Sequence, residues 1–147
     1  SIFIQGTQMI QFKLLNEKAQ APQRAKTNSA GFDMYAPERV CIPAGKSYWV
    51  KSGVAMAIPH GYVGVLQARS SHAFNYGIAM LGGVMDSDYR GEVQIGLINH
   101  GTETLEICAG DRICQMLVHQ YLGSSTIVDE LPEDVDRGIQ GFGSTGH

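Results

Sequence analysis

At 147 residues, with 44% hydrophobic and 17% charged side chains, the chain has the size and composition of one folded domain around a single core. Eleven basic against 14 acidic residues give a formal charge of −3, which argues against a broad basic face held on long nucleic acid but permits arginines converging on a small polyanion. No apolar run approaches the roughly 20 residues that a membrane-spanning helix needs.

Residues 1–8 carry no initiating Met and make a poor signal peptide, since a basic flank and a long apolar run are both missing. They are expected to be a disordered or artificially appended N-terminus. Residues 9–128 are read as one β domain. Within it, Ala30-Gly31-Phe32-Asp33-Met34-Tyr35-Ala36 reads as a buried edge strand. Tyr48 and Val50, then Val54, Met56 and Ile58, alternate with period two, and so do Val93, Ile95 and Leu97. Residues 62–66 and 113–117 read as further strands. Turn signals separate them at Pro43-Ala44-Gly45, Pro59-His60-Gly61, Asn99-His100-Gly101 and Ala109-Gly110-Asp111. Short alternating runs with this punctuation indicate an all-β sandwich or barrel. One short helix is expected at residues 70–75, with Ser70 or Ser71 as N-cap. Residues 129–147 form an acidic connector followed by a glycine-rich tail, expected to be mobile.

Several segments carry candidate chemistry. In Gly82-Gly83-Val84-Met85-Asp86-Ser87-Asp88-Tyr89-Arg90-Gly91, paired glycines open a strand, Asp-Ser-Asp makes a turn and Gly91 begins the return. By itself that is a hairpin whose aspartates favour the turn. A functional version reads the edge of a planar base with backbone groups and places Asp86 to accept a proton from water. Ala68-Arg69-Ser70-Ser71 joins a strand to a helix start, where unpaired N–H groups, a guanidinium and hydroxyls suit phosphate. Gly110-Asp111-Arg112-Ile113-Cys114-Gln115 alone is a β-turn with Asp111 paired to Arg112. The tail supplies one arginine, Arg137, one aromatic, Phe142, and Gly143, Ser144 and Thr145, the composition of a lid over a phosphorylated aromatic ligand.

Taken together, the five segments resemble, in order and spacing, the motifs of the trimeric dUTP pyrophosphatase (dUTPase) family, over roughly residues 9–146. The third segment and the Arg-Gly-x-x-Gly-Phe-Gly-Ser-Thr-Gly tail are the most specific. The resemblance implies a compact jelly-roll-like (β-clip) all-β fold and a homotrimer with active sites at subunit boundaries. It implies hydrolysis of dUTP to dUMP and pyrophosphate with Mg²⁺, which keeps uracil out of DNA and supplies dUMP for dTMP synthesis. Asp86 then orients and activates the attacking water. Tyr89 lies under the deoxyribose, leaving no space for a 2′-hydroxyl. Gly83, Val84, Met85 and the backbone of Gln94 read uracil, although Met85 stands where the family usually has Ile. Arg69, Ser70, Ser71 and Gln115 meet the phosphates. Arg137, Gly143, Ser144 and Thr145 clamp the γ-phosphate while Phe142 stacks on uracil. Asp33 supports the magnesium-water shell or an interfacial network.

His72 departs from the common Leu of the family; it is read as a partly exposed bystander, with a pH-sensitive phosphate contact as the alternative. Cys41, Cys108 and Cys114 have no CxxC spacing and read as buried thiols in a reducing, intracellular setting (cytoplasm or nucleus, of cellular or viral origin). Scattered histidines offer no zinc site. Two alternatives stay open. A deoxycytidine nucleotide deaminase shares the fold and the Arg-Ser-Ser segment, although the hairpin has the hydrolase form. A nucleotide-sensing protein retains the scaffold without the chemistry. Neither a stable nucleic-acid partner nor a membrane is expected.

Overall fold

The computed structural model describes residues 9–134 together with Ile139. The calls on residues 1–8 and on the tail residues Arg137, Phe142, Gly143, Ser144 and Thr145 lie outside the described residues. Short strands dominate, in this order: β1 (Gln11–Leu14), β2 (Gln23–Arg24), β3 (Phe32–Tyr35), β4 (Val40–Ile42), β5 (Ser47–Lys51), β6 (Val54–Ala57) and β7 (Tyr62–Gln67). The single described helix, α1 (Ser70–Tyr76), follows, and then β8 (Ile78–Leu81), β9 (Val84–Met85), β10 (Gln94–Asn99), β11 (Leu105–Ile107) and β12 (Arg112–Gln120).

Every described strand pairing is antiparallel. The largest sheet has the order β2-β3-β12-β7-β9, a second has β5-β10-β8, and β1-β6 and β11-β4 form two-stranded ribbons. Antiparallel sheets with one face on the core need only alternate side chains to be apolar. Val93, Ile95 and Leu97 accordingly lie buried while Gln94 is exposed. Val50, Val54, Met56 and Ile58 are buried as their spacing predicts, but Tyr48 is 46% exposed. The inner faces meet in one core that includes Met34, Ile42, Ile95, Leu97, Ile113 and Met116. Two polar side chains are buried among the described residues: Ser52, whose hydroxyl donates to the Val54 carbonyl at 3.3 Å, and Asn99, which donates from Nδ2 to the Ile42 carbonyl at 2.9 Å and the Glu103 carbonyl at 2.7 Å.

Several local expectations change. The strand around Asp33 is interior, lying between β2 and β12, not at an edge. The helix is capped by Arg69, in extended conformation (φ −66°, ψ 141°) and without a side-chain cap bond, so neither Ser70 nor Ser71 is the N-cap. Asp111 does not pair with Arg112; its carboxylate accepts the Cys108 N–H at 3.3 Å, and Arg112 turns to Asp33 at 3.8 Å. Of the three cysteines only Cys114 is buried, while Cys41 and Cys108 are exposed.

The segment at residues 82–91 is also more than a plain hairpin. Gly82 and Gly83 both take positive φ, 64° and 100°, a backbone region that side-chain-bearing residues resist. They end β8 and carry the chain to the other sheet, where β9 pairs with β7 through Val65↔Val84 and Gly64↔Met85. The chain then turns back into β10, which pairs with β8 through Gly96↔Leu81. The arms of the hairpin are therefore β8 and β10, and its long tip is pinned to the five-stranded sheet.

Candidate active site

That crossing leaves an open cavity of about 500 Å³ between the two sheets, lined by Trp49, Gly83, Val84, Met85, Asp86, Tyr89, Glu92, Val93 and Gln94. Its floor is backbone. β9 is the last strand of its sheet, so its outer edge offers N–H and C=O groups that no neighbouring strand takes. The inner side is committed: the Gly83 carbonyl accepts from the Leu66 N–H at 2.8 Å. Across the cavity, β8 stops opposite Gly96, so Gln94 extends beyond the end of that pairing. Two strand edges thus face one space, a geometry suited to reading the donors and acceptors of a small planar ring. The Met85 side chain is buried beneath Gly64, leaving its backbone to the cavity, whereas Val84 is 67% exposed.

The rim is held by its own hydrogen bonds. The Tyr89 N–H donates to the Asp86 carbonyl at 3.1 Å, closing the turn on which the exposed Asp86 carboxylate stands. Arg90 Nη1 donates to the Ser87 carbonyl at 2.5 Å, and the Tyr89 hydroxyl donates to the Glu92 carbonyl at 2.8 Å. The Tyr89 ring folds back over Gly91, where a Cβ would meet its hydroxyl at 2.5 Å. Gly91 is thus a packing requirement of the tyrosine, and the return strand begins at Gln94, not at Gly91. Glu92 faces the other way, accepting the Gly53 N–H at 2.8 Å, and ties the loop to the end of β5.

Sequence reasoning missed Trp49, Glu92 and Val93. Trp49 is the only tryptophan of the chain and forms a wall of the cavity. It pairs with Gly96 across β5 and β10, and a Cβ on Gly96 would lie 2.7 Å from its ring. The usable signal was a large aromatic opposite a strand glycine, but it becomes visible only once the register is known.

Arg69, Ser70, Ser71 and Gln115 are not part of this cavity. They gather at the end of β7, where Gln115 stands abreast of Gln67 on one side and Asp33 on the other. Gln115 Nε2 approaches the Ala68 carbonyl at 3.5 Å. Gly31 permits that arrangement, because a Cβ there would meet Gln115 Oε1 at 2.7 Å. Ser70 and Ser71 are exposed and Arg69 is half-buried. His72 is partly exposed, as expected, and its Nε2 lies 3.3 Å from Arg69 Nη1. Burial first, and the Arg69 charge second, hold its pKa below the usual histidine value. Burial pushes the Cys114 thiol up to about 12, with the Asp33 carboxylate adding to the effect.

The described residues contain no group of three or more His, Cys, Asp or Glu able to hold a metal by themselves. Asp33, half-buried and next to Gln115, is the carboxylate nearest in register to the phosphate-type residues. A magnesium ion that keeps its waters and binds largely through phosphate oxygens needs no more protein than this. The donor set fits such an ion. None of the described helices is long and apolar enough to cross a membrane.

A family model described as dUTPase matches residues 17–146. A deoxyuridine 5'-triphosphate nucleotidohydrolase from Yarrowia lipolytica is 40% identical over 134 residues, covering 90% of this chain and 85% of that protein. Among solved structures, the dUTPase of Staphylococcus bacteriophage 80alpha with dUpNHpp is similar at a TM-score of 0.85 and 27% identity, over 96% of this chain and 100% of that one. A variant dUTPase from phage phi11 of S. aureus, described with the coordination of a structural Mg(II) ion, has a TM-score of 0.75 and 25% identity, over 83% and 97% of the two chains.

Proposed function

The chain belongs to the dUTPase family, and from that membership we propose that it hydrolyses dUTP to dUMP and pyrophosphate. The observation that carries this reading is the single cavity that gathers Gly83, Val84, Met85, Asp86, Tyr89 and Gln94, a base-sized space with a carboxylate at its rim. In this reading the two free strand edges bind uracil, and Tyr89 supports the sugar and leaves no room for a 2′-hydroxyl. Asp86 orients a water and takes its proton as the oxygen attacks the α-phosphorus. The bond from that phosphorus to the bridging oxygen breaks, and pyrophosphate leaves.

Arg69, Ser70, Ser71 and Gln115 bind the phosphates and offset the charge that builds up during attack. Asp33 would hold a Mg²⁺ ion through a water, and such an ion would supply further charge stabilisation at the phosphates. The tail, residues 129–147, closes on the nucleotide, with Arg137, Gly143, Ser144 and Thr145 on the γ-phosphate and Phe142 over uracil. It completes a unit whose body is residues 9–128.

A homotrimer is part of the proposal. The base cavity and the phosphate-type residues are separate in one chain, which is what sites built from several copies require. After β12 the chain also exposes Leu122, Ile127 and Leu131 at 97%, 98% and 84%, apolar surface that a second copy would cover. The enzyme would act on deoxynucleotides inside the cell, removing dUTP before polymerases use it.

The test is pyrophosphate release from dUTP, dCTP, dTTP and UTP, with and without Mg²⁺. Strong preference for dUTP with Mg²⁺ is the expected result. Ammonia release from dCTP would point to a deaminase, and tight dUTP binding without turnover to a sensor.

A further inference from the structure

We propose that His72 is a positioning residue, which sets the Arg69 guanidinium for the phosphates by accepting its N–H on a neutral imidazole. The inference rests on the reading of Arg69 as a phosphate contact. Arg69 caps α1 and His72 lies three residues on, the spacing that brings side chains together over one helical turn. The contact is Nη1 to Nε2 at 3.3 Å.

A guanidinium has only donors, so Nε2 must be the acceptor and the ring proton must sit on Nδ1. That nitrogen is buried, with no hydrogen-bond partner among the described residues. The tautomer is therefore chosen by Arg69, not by a partner on the other side of the ring. Protonation would turn Nε2 into a donor aimed at another donor and set two positive charges side by side. The Arg69 contact cannot survive it.

No described charge opposes this logic. β8, which packs against α1, contributes only Ile78, Ala79, Met80 and Leu81. The turn after β10 packs on the C-terminal end of the helix, through the His100 N–H on the Gly77 carbonyl at 2.9 Å, but its own imidazole belongs to an exposed residue. The charge that acts on His72 is that of Arg69, and both it and burial favour the neutral ring.

The consequence is a guanidinium held in place before the nucleotide arrives, so that less side-chain freedom is lost on binding. That advantage belongs to substrate affinity and is pH-gated. It is present above the ordinary histidine pKa of about 6.5 and is lost as pH falls through the lower value that His72 has in the fold.

The experiment measures kcat and KM for dUTP from pH 5 to 8.5 in the full-length chain, its His72→Gln and its His72→Leu variants. Glutamine keeps an acceptor oxygen but does not titrate. At pH 7.5 His72→Gln should stay within about twofold of the parent KM. His72→Leu should raise KM about fivefold to tenfold, the scale of one lost hydrogen bond of ordinary strength, with kcat nearly unchanged. Toward pH 5 the parent KM should climb relative to that of His72→Gln; the comparison cancels protonation of the nucleotide itself. Equal KM values for all three proteins at every pH would overturn the proposal, as would equal losses in Gln and Leu variants accompanied by a lowered Tm. Absence of dUTP turnover in the parent would instead overturn the functional reading, and this inference with it.

Discussion

The two halves of the site are built differently. The base-side loop around Asp86 is held on both sides: Tyr89 and Arg90 close it on itself and Glu92 ties it to Gly53, each through a hydrogen bond of 2.8 Å or less. The phosphate side is looser, with exposed Ser70 and Ser71, an Arg69 held at 3.3 Å by His72, and a Gln115 contact of 3.5 Å. In the proposed reading, the difference follows from the ligands. A neutral planar base must be recognised by shape and by fixed donors and acceptors, which rewards a prebuilt cavity. A triphosphate is recognised mainly by charge, which tolerates donors brought together on binding. In the proposed trimer, one chain would hold its base cavity ready while its phosphate groups are completed by other copies.

The largest expected effect lies at the rim of the base-side cavity. Asp86→Asn removes the proton acceptor while keeping shape and should lower kcat by about 10²–10⁴-fold, with dUMP affinity by calorimetry nearly unchanged. If kcat stayed near the parent value, Asp86 would have no part in activating water. Next comes the phosphate side. Arg69→Ala should raise KM for dUTP about tenfold or more and leave binding of uncharged deoxyuridine unaltered. Loss of deoxyuridine affinity there would abolish the distinction between the halves.

A base-side change should do the converse. Gly91→Ala places a methyl group where the Tyr89 hydroxyl lies, 2.5 Å away. It should weaken deoxyuridine binding about threefold to tenfold by displacing the ring and should narrow the preference for dUTP over UTP. An unchanged dUTP-to-UTP ratio would remove Tyr89 from sugar selection. The smallest effect concerns the support under Gln115. With its thiol pushed up to about 12 by burial, Cys114 should resist alkylation at pH 8 in the native protein, whereas the exposed Cys41 and Cys108 react. Labelling of all three would mean that β12 opens readily and cannot hold Gln115 in place.

Much of the β architecture was legible, because period-two alternation reports directly on which face is buried. Val93, Ile95 and Leu97 against Gln94 are the clearest instance. Less legible was anything that depends on which strands meet. The hairpin at residues 82–91 has the expected turn, but its glycines send β9 to β7, a pairing that local sequence does not encode. Trp49 went unnoticed for the same reason, since only its register opposite Gly96 makes it a wall. The cap on α1 fell to Arg69 because the backbone is extended there, and a cap needs that conformation more than it needs a serine. The contact of His72 with Arg69 is illegible in the sequence because it depends on Arg69, not a serine, being the cap of the helix. The motif residues Gly83, Val84, Met85, Asp86, Tyr89 and Gln94 do share one cavity, whereas Arg69, Ser70, Ser71 and Gln115 lie apart from it.

The most direct test of the central claim, that this site delivers water to the α-phosphorus of dUTP, follows the oxygen. Turnover in ¹⁸O-labelled water with Mg²⁺, read by mass spectrometry of both products, should place the label in dUMP and leave pyrophosphate unlabelled. Label in pyrophosphate, or release of labelled orthophosphate, would mean attack at a different phosphorus and would contradict the account.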